Sequence, residues 1–408
     1  MKLFKYIDFL NFEKIHIVTV HNYTSQLGFL FAQREYLGDM KSNKNLKDLY
    51  LIFIFPSISD KYIKNNVPIY KFLKSNKKNK SSKILVFKIR KFWQRLFLVP
   101  VLFFLNFLIN EKILLWQSKY RWIEDSLEFK NFRFFQKKVS LPIPKFKIVL
   151  FGDGFLSFMP FQRPFWLRQK NLLDPLEIKR IYKSYHLIDV GNNSKKFNSK
   201  KLDPKRVVNG LEYYLKNKFD KKIIMELSNF QQSFGLDNDA TGYYIFPTTT
   251  FYETGRTTLE KEINLYISYL KQSKLKTFNK LIIKPHPTSS YEKNIAFIDL
   301  IKSDDFFKRK KIYFPRYKNK KSDLSFIPLE ILITNILLSN KSNIDGKIIF
   351  SCTSSAGLSI KTLYPGIEFD KAFGSNLIRK YIFLDFQEKR ILQEKIINEE
   401  LNKLLLEY

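Results

Sequence analysis

At 408 residues the chain is longer than one hydrophobic core usually supports, and it divides most simply into two domains of about 200 residues each. Hydrophobic residues make up 45%, enough for folded cores, which excludes a disordered polar chain. Lys and Arg number 71 against 38 acidic residues, a formal charge of +33, and Cys352 is the only cysteine, which excludes an intrachain disulfide.

A reducing, cytoplasmic setting follows from the cysteine count. His16, His21, His186 and His286 are scattered, and no CxxC or HExxH spacing occurs, so no resident metal is expected. The positive charge admits three partners: nucleic acid, an anionic membrane face, or acidic substrates. Part of it is ordinary solvated lysine in a chain rich in Lys, Asn, Ile and Phe. The N-terminal residues lack the apolar core of a signal peptide. The most membrane-like stretch, Leu96 to Ile109, is shorter than the roughly 20 residues needed to span. Pro100 and Asn106 interrupt it, and a basic run, Lys88 to Arg95, precedes it. It reads as a buried core helix or, alternatively, as an interfacial helix in peripheral contact with an anionic membrane.

Lys14 to Val20 (KIHIVTV) reads as a first strand, followed by a polar loop from His21 to Gly28 and a helix from Phe29 to about Tyr36. Strand, polar loop and helix open a Rossmann-like unit, although no GxGxxG is present to mark a dinucleotide. Asp48 to Phe55 and Ile84 to Ile89 read as further strands, and Phe92 to Tyr120 as helical. Lys145 to Phe151 is a strong strand that ends at Gly152-Asp153-Gly154, exposing a carboxylate at the strand exit. An ordinary Asp-Gly turn has the same sequence. Tyr185 to Val190 is a strand, and the lysine-rich stretch from Asn192 to Lys205 is a candidate connector, leading to a helix from Val207 to Lys218.

The strand pattern then restarts with Lys221 to Leu227 and Gly242 to Phe246, the latter running into Pro247-Thr248-Thr249-Thr250. A helix covers Leu259 to Lys271. Leu281 to Ile283 is a short apolar run that ends at Lys284-Pro285-His286-Pro287, followed by three hydroxyls. The prolines end regular structure and hold His286 extended between them. A rigid histidine at the carboxyl end of a buried strand stands where open α/β sheets bind ligands. Lys311 to Phe314 is a strand. Glu330 opens an apolar helical segment, and Gly346 to Ser351 is a buried strand ending in Cys352-Thr353-Ser354-Ser355 before another helix. Tyr381 to Leu384 reads as a strand before a charged C-terminal helix.

Hydroxyls at a helix start, with unbonded amides and the positive end of the helix dipole, make an anion site, although Ser and Thr are also the usual caps. His286 and Ser354 thus mark two anion-binding strand exits in the second half, and a carboxylate at Glu330 could accept both hydroxyls of a ribose. Asp153 is the matching carboxylate of the first half. The expected architecture is α/β: two Rossmann-like domains, residues 1–210 and 211–408, facing across a cleft.

Lys284-Pro285-His286-Pro287, Ser354-Ser355 and the acidic-Gly exit at Asp153-Gly154 resemble the three short motifs of bacterial sialyltransferases of GT-B fold. The group concerned is that of the polysialyltransferases and lipooligosaccharide sialyltransferases. The resemblance implies that His286 bonds the phosphate of CMP-sialic acid and helps CMP leave. Lys284, Pro287, Thr353, Ser354 and Ser355 would line the same nucleotide site, with Glu330 on the ribose and Asp153 as the base for the acceptor hydroxyl. Gly152 occupies the motif's first acidic position, so the base role falls to Asp153 or to another residue. The resemblance implies no cofactor beyond the donor itself, a nucleotide sugar and a glycan acceptor as partners, and a location at the inner face of the plasma membrane.

Three other readings remain. One is a GT-B transferase using another donor, such as a CDP-alcohol in capsule or teichoic synthesis. Another is a basic nucleic-acid-binding protein. Lysine dominates over arginine, and the phenylalanines sit in strand-like runs, so no nucleic acid is expected. The third pairs Cys352 with His286 as a thiol hydrolase, against which stands the usual buried packing of a strand-end cysteine.

Overall fold

The computed structural model describes residues 11–20, 23–39, 47–54, 71, 73, 75, 81–88, 112–118, 147–151, 181–187, 199–234, 242–313, 327–339 and 348–406. The chain divides into two compact units, Met1–Asp203 and Pro204–Tyr408. The sequence boundary at residue 210 lies inside helix α2 (Pro204–Lys216).

The first unit carries β1 (Ile15–Val20), α1 (Tyr23–Asp39), β2 (Leu49–Ile54), β3 (Lys83–Lys88), β4 (Ile113–Ser118), β5 (Lys147–Phe151), β6 (Ile181–His186) and β7 (Ser199–Lys201). They form one sheet in the order β3-β2-β1-β4-β5-β6-β7, with every pairing parallel. The order reverses between β1 and β4, as in a doubly wound Rossmann sheet. All six residues of β2 are buried, so the strand reads as a continuous apolar run and not as an alternation. A polar knot lies inside this sheet. His16 Nε2 meets Asp48 Oδ2 at 3.0 Å, Trp116 Nε1 donates to His16 Nδ1 at 3.0 Å, and the imidazole stacks on Tyr50 with centroids 4.3 Å apart.

The second unit opens with α2 and α3 (Lys221–Phe234). Then come β8 (Tyr243–Pro247), α4 (Leu259–Gln272), β9 (Lys280–Lys284), α5 (Tyr291–Ser303), α6 (Asp305–Lys308), β10 (Lys311–Tyr313) and α7 (Leu329–Ser339). The unit ends with β11 (Ile348–Ser351), α8 (Ala356–Leu363), β12 (Glu368–Asp370), α9 (Ser375–Tyr381) and α10 (Leu384–Leu406). Its strands among the described residues run in the order β10-β9-β8-β11-β12, again all parallel. Tyr244, Phe246, Tyr266, Leu281, Ile283, Phe297 and Phe373 fill the core between the sheet and its helices. The fold is therefore α/β with two Rossmann-like domains, and in the second the strand order reverses between β8 and β11.

Several elements differ from the sequence reading, each for a local reason. Ile113–Ser118, read within a helix over Phe92–Tyr120, is β4. A central parallel strand is apolar on both faces and carries no period that separates it from a buried helix. Residues 89–111, including the Leu96–Ile109 stretch, lie outside the described residues. Lys221–Leu227, read as a strand, is the start of α3. Its buried Ile223, Leu227 and Phe230 follow helical spacing, and Asp220 Oδ1 accepts from Ile223 N at 3.2 Å to cap it. Tyr381–Leu384 is the corner between α9 and α10 instead of a strand, and Phe383 N donates to Arg256 O at 3.0 Å there. The Asn192–Lys205 connector includes edge strand β7, β6 starts at Ile181 and not at Tyr185, and α1 already begins at Tyr23 within the expected loop. Among the described residues no helix is long and apolar enough to cross a membrane.

Candidate functional site

The site lies at the carboxyl ends of β8, β9 and β11, where the second sheet reverses direction. Open α/β sheets leave a crevice at such a point. Strands β9 and β11 both flank β8, about 10 Å apart as two strand spacings. A side chain from each can close over a phosphate-sized anion above the exit of β8.

The three exits are fastened to one another by hydrogen bonds. Thr248 N donates to Lys284 O at 3.0 Å, and His286 N donates to Thr248 Oγ1 at 3.0 Å, joining the β8 and β9 loops. Thr353 Oγ1 donates to Pro247 O at 3.0 Å, joining the β11 loop to the same strand end. Arg390 of α10 donates from Nη2 to Thr353 O at 2.8 Å while its Nε is held by Glu394 at 2.9 Å. The guanidinium lies over the Phe251 ring, 5.1 Å from its centroid.

His286 is half-buried at this edge. His286 Nδ1 lies 2.9 Å from the Thr288 hydroxyl and accepts from Thr288 N at 3.2 Å, and this network assigns the ring proton to Nε2. Ser289 N donates to His286 O at 2.9 Å and closes the turn. Burial of the ring, then the positive charges of Lys284 and Lys293, lower the imidazole to about 4, with Glu262 acting in the opposite direction. At neutral pH His286 is therefore a neutral donor through Nε2–H.

The other sequence-predicted residues divide into two sets. Thr353 is fully buried and its hydroxyl is spent on Pro247, which makes it a brace of the strand exits. Lys284 is also buried, and its ammonium donates to Pro285 O at 2.9 Å, stiffening the Pro-His-Pro segment from beneath. Ser354 is half-buried and its Oγ accepts from Ala356 N at 3.3 Å, capping the start of α8. The Ser355 side chain is half-buried and takes no part in the cap, and Pro287 is exposed beside His286. Glu330 lies half-buried in the first turn of α7. Burial raises its carboxyl, while its own backbone N–H and the charge of Lys284 draw it back. Asp153 lies outside the described residues, two positions beyond the end of β5 at Phe151.

Behind this edge lies a buried charged cluster that the sequence reading missed. Glu262 of α4 is fully buried and accepts from Thr249 Oγ1 at 2.8 Å, Phe251 N at 3.1 Å and Tyr252 N at 2.7 Å, and also from the Tyr266 hydroxyl. Lys293 of α5 donates to Thr249 O at 2.8 Å, Glu253 Oε2 at 2.7 Å and Glu262 Oε2 at 3.2 Å. The one usable sequence signal was the Thr248-Thr249-Thr250 run, a hydroxyl-rich strand exit of the same kind as Thr353 to Ser355. Cys352 is buried and its thiol is pushed up to about 12, so it packs and does not react. Among the described residues no group of His, Cys, Asp and Glu is arranged to hold a metal ion.

No family model and no curated protein matches the chain. Solved structures overlap it weakly. A UDP-GlcNAc 2-epimerase from Methanocaldococcus jannaschii superposes with a TM-score of 0.42 at 12% identity, over 86% of this chain and 81% of that one. An E. coli trehalose-6-phosphate structure bound with UDP-2-fluoro glucose gives 0.38 at 9% identity, over 96% of both chains. An alpha,alpha-trehalose 6-phosphate synthase from Burkholderia multivorans gives 0.35 at 9% identity, over 96% and 95%. Superpositions this loose carry no weight for function, and the two Rossmann-like domains rest on the strand orders themselves.

Proposed function

We propose that the protein is a glycosyltransferase of GT-B type that takes its sugar from a nucleotide donor seated at the exit of β8. The particular transfer proposed is of sialic acid, from CMP-sialic acid to a hydroxyl of a surface glycan, with inversion and without a metal. The observation that carries this reading is the pairing of two neutral donor loops across one strand exit: His286 with Nε2–H available on one side, Ser354 and Ser355 on the other. Hydrogen-bond donors aimed at a leaving phosphate stabilise the charge that develops there as the sugar departs.

The charge at the site favours a donor with one phosphate. Among the described residues at the three exits the cations are already engaged by protein partners: Lys284 by Pro285 O, Lys293 by Thr249 O and two glutamates, and Arg390 by Thr353 O and Glu394. A diphosphate leaving group carries more charge and usually calls on Arg, Lys or a metal. A monophosphate ester suits neutral hydroxyl and imidazole donors. In the reaction the acceptor oxygen bonds to the anomeric carbon as the carbon–phosphate-oxygen bond breaks. The electron pair leaves with CMP, and the acceptor proton passes to Asp153. Residues 1–210 would supply the acceptor side, Glu330 the ribose contact, and the inner face of the plasma membrane the place of action. The net charge of +33 suits capture of an anionic donor and acceptor.

The test is calorimetric titration with CMP, UDP and CDP, followed by transfer assays with CMP-sialic acid over a panel of glycan acceptors. The reading expects CMP to bind at least as tightly as either diphosphate, and CMP release to depend on acceptor. Tighter binding of CDP, with turnover of a CDP-alcohol, would replace it by the capsule or teichoic transferase reading.

A further inference from the structure

We propose that Lys293, fixed between Glu262 and Glu253, is the positioning residue of this site: it holds the threonine loop after β8 and the turn after β9 in one register, and so sets where the His286 ring stands. The task of His286 rests on the glycosyltransferase reading; the positioning itself does not.

The argument starts from the cost of the arrangement. The Lys293 side chain is 1% exposed and that of Glu262 is fully buried, so both charges have lost their water. An apolar pair of the same volume would usually serve stability as well, because desolvation consumes most of what the ion pair returns. What an apolar pair cannot do is bond several chain segments at once. The ammonium uses three bonds on three partners: Thr249 O at 2.8 Å, Glu253 Oε2 at 2.7 Å and Glu262 Oε2 at 3.2 Å. Thr249 adjoins Thr248, whose Oγ1 accepts from His286 N. The other oxygen of Glu253 accepts from Ser290 N at 2.6 Å, at the far end of the turn that His286 begins. Ser290 in turn caps α5 by accepting from Lys293 N at 3.2 Å. The His286 turn is thus held at both ends, by Thr248 and by Glu253, and both holds converge on one ammonium.

The charges facing the imidazole from all sides are Lys284 on its own strand end, Lys293 on α5 and Glu262 on α4. Removing the Lys293 charge leaves Glu262 uncompensated behind the ring and favours the imidazolium. A lysine acting through its charge alone would move the ring's titration without loosening the His286 turn, so the amide exchange of Ser290 and His286 is read beside the titration.

The experiment follows the imidazole resonances of the full chain by NMR as pH is varied, with His286 assigned by the signal missing in His286→Gln. Lys293→Met is expected to raise the His286 pKa by about one unit or more, a tenfold gain in proton affinity. Lys293→Arg, which keeps charge and donors, is expected to leave it near the wild-type value. An unchanged titration in a folded Lys293→Met protein overturns the proposal. Glu253→Gln is a milder variant that keeps Lys293 and Glu262 paired and guards against a failure to fold. There the Ser290 and His286 amides are expected to exchange with solvent at least about tenfold faster, and unchanged exchange overturns the proposal equally. CMP titrations on the same samples separate the two readings. A wild-type protein that binds no CMP while Lys293→Met still moves His286 removes the transferase reading and supports the positioning. CMP binding with an unmoved His286 does the reverse.

Discussion

The protonation state of His286 makes a prediction about ligand affinity that differs in shape, and not only in size, from that of an ordinary histidine. The free imidazole sits at about 4, held down by burial and by the charges of Lys284 and Lys293. A phosphate seated on Nε2–H would oppose that depression, because an anion within hydrogen-bond reach favours the imidazolium by roughly one to three pKa units. Taking about two units, the ring would titrate near 6 in the complex. Complex formation then takes up protons between those two values, and affinity must rise as pH falls. The expected gain is about tenfold between pH 7 and pH 5, with almost none between pH 9 and pH 7.

The measurement is calorimetry with a cytidine 5′-monophosphate sugar, whose phosphodiester keeps one charge over this range. Titrations in two buffers of different ionisation enthalpy count the protons directly. A histidine starting at its ordinary value of about 6.5 would show most of its gain above pH 7 and level off below, and that curve would refute the reasoning. His286→Ala should abolish the slope and cost about 10- to 150-fold in affinity at pH 7, the worth of one hydrogen bond to a charged group. The same depression affects the protein without ligand. The unfolded imidazole takes up a proton that the folded one refuses, so His286 makes the chain lose stability as pH falls from about 6.5 towards 4.

Thr353→Ala and Ser355→Ala should separate bracing from binding. The first removes a buried bond to Pro247 and should cost about 1–2 kcal/mol in thermal unfolding with CMP affinity little changed, whereas the second should leave unfolding unaltered and weaken CMP about tenfold. His16→Phe strips Asp48 of its side-chain partner inside the first sheet, where Asp48 Oδ1 has no bond among the described residues. Urea unfolding should show a loss of about 3–5 kcal/mol, most of it regained in the His16→Phe, Asp48→Leu double variant. Cys352, buried with its thiol pushed up to about 12, should react with an aromatic disulfide reagent only after unfolding, and prompt reaction in the native protein would contradict its place in the core.

Strand exits were the legible part of this chain, because a parallel strand is short, apolar and abruptly ended. Leu281 to Ile283 before Pro285, and Ile348 to Phe350 before Thr353, show that signature, and both lie beside β8. The errors came where one local pattern serves two structures. Ile113-Leu114-Leu115-Trp116 is buried on both faces and reads as helix or strand alike, and β4 was lost to the helix reading. Lys221 to Leu227 begins apolar and β-branched, yet the cap from Asp220 and the helical spacing to Phe230 decide for helix.

The charged cluster behind His286 was illegible for a different reason. Its members come from the β8 loop, α4 and α5, and Glu253 and Lys293 stand 40 positions apart. Taken singly, Glu262 is a first-turn acid that suits the helix dipole, and Lys293 is one lysine among many. Only the parallel crossovers from β8 to β9 bring them into contact. Both helices follow their strands from the carboxyl edge of the sheet, so their amino-terminal turns lie directly behind the loops that leave it. A doubly wound sheet thus places the first turns of its crossover helices beneath its ligand crevice. A charge buried in such a turn, as Glu262 and Lys293 are, reaches the side chains at the crevice without itself being exposed there.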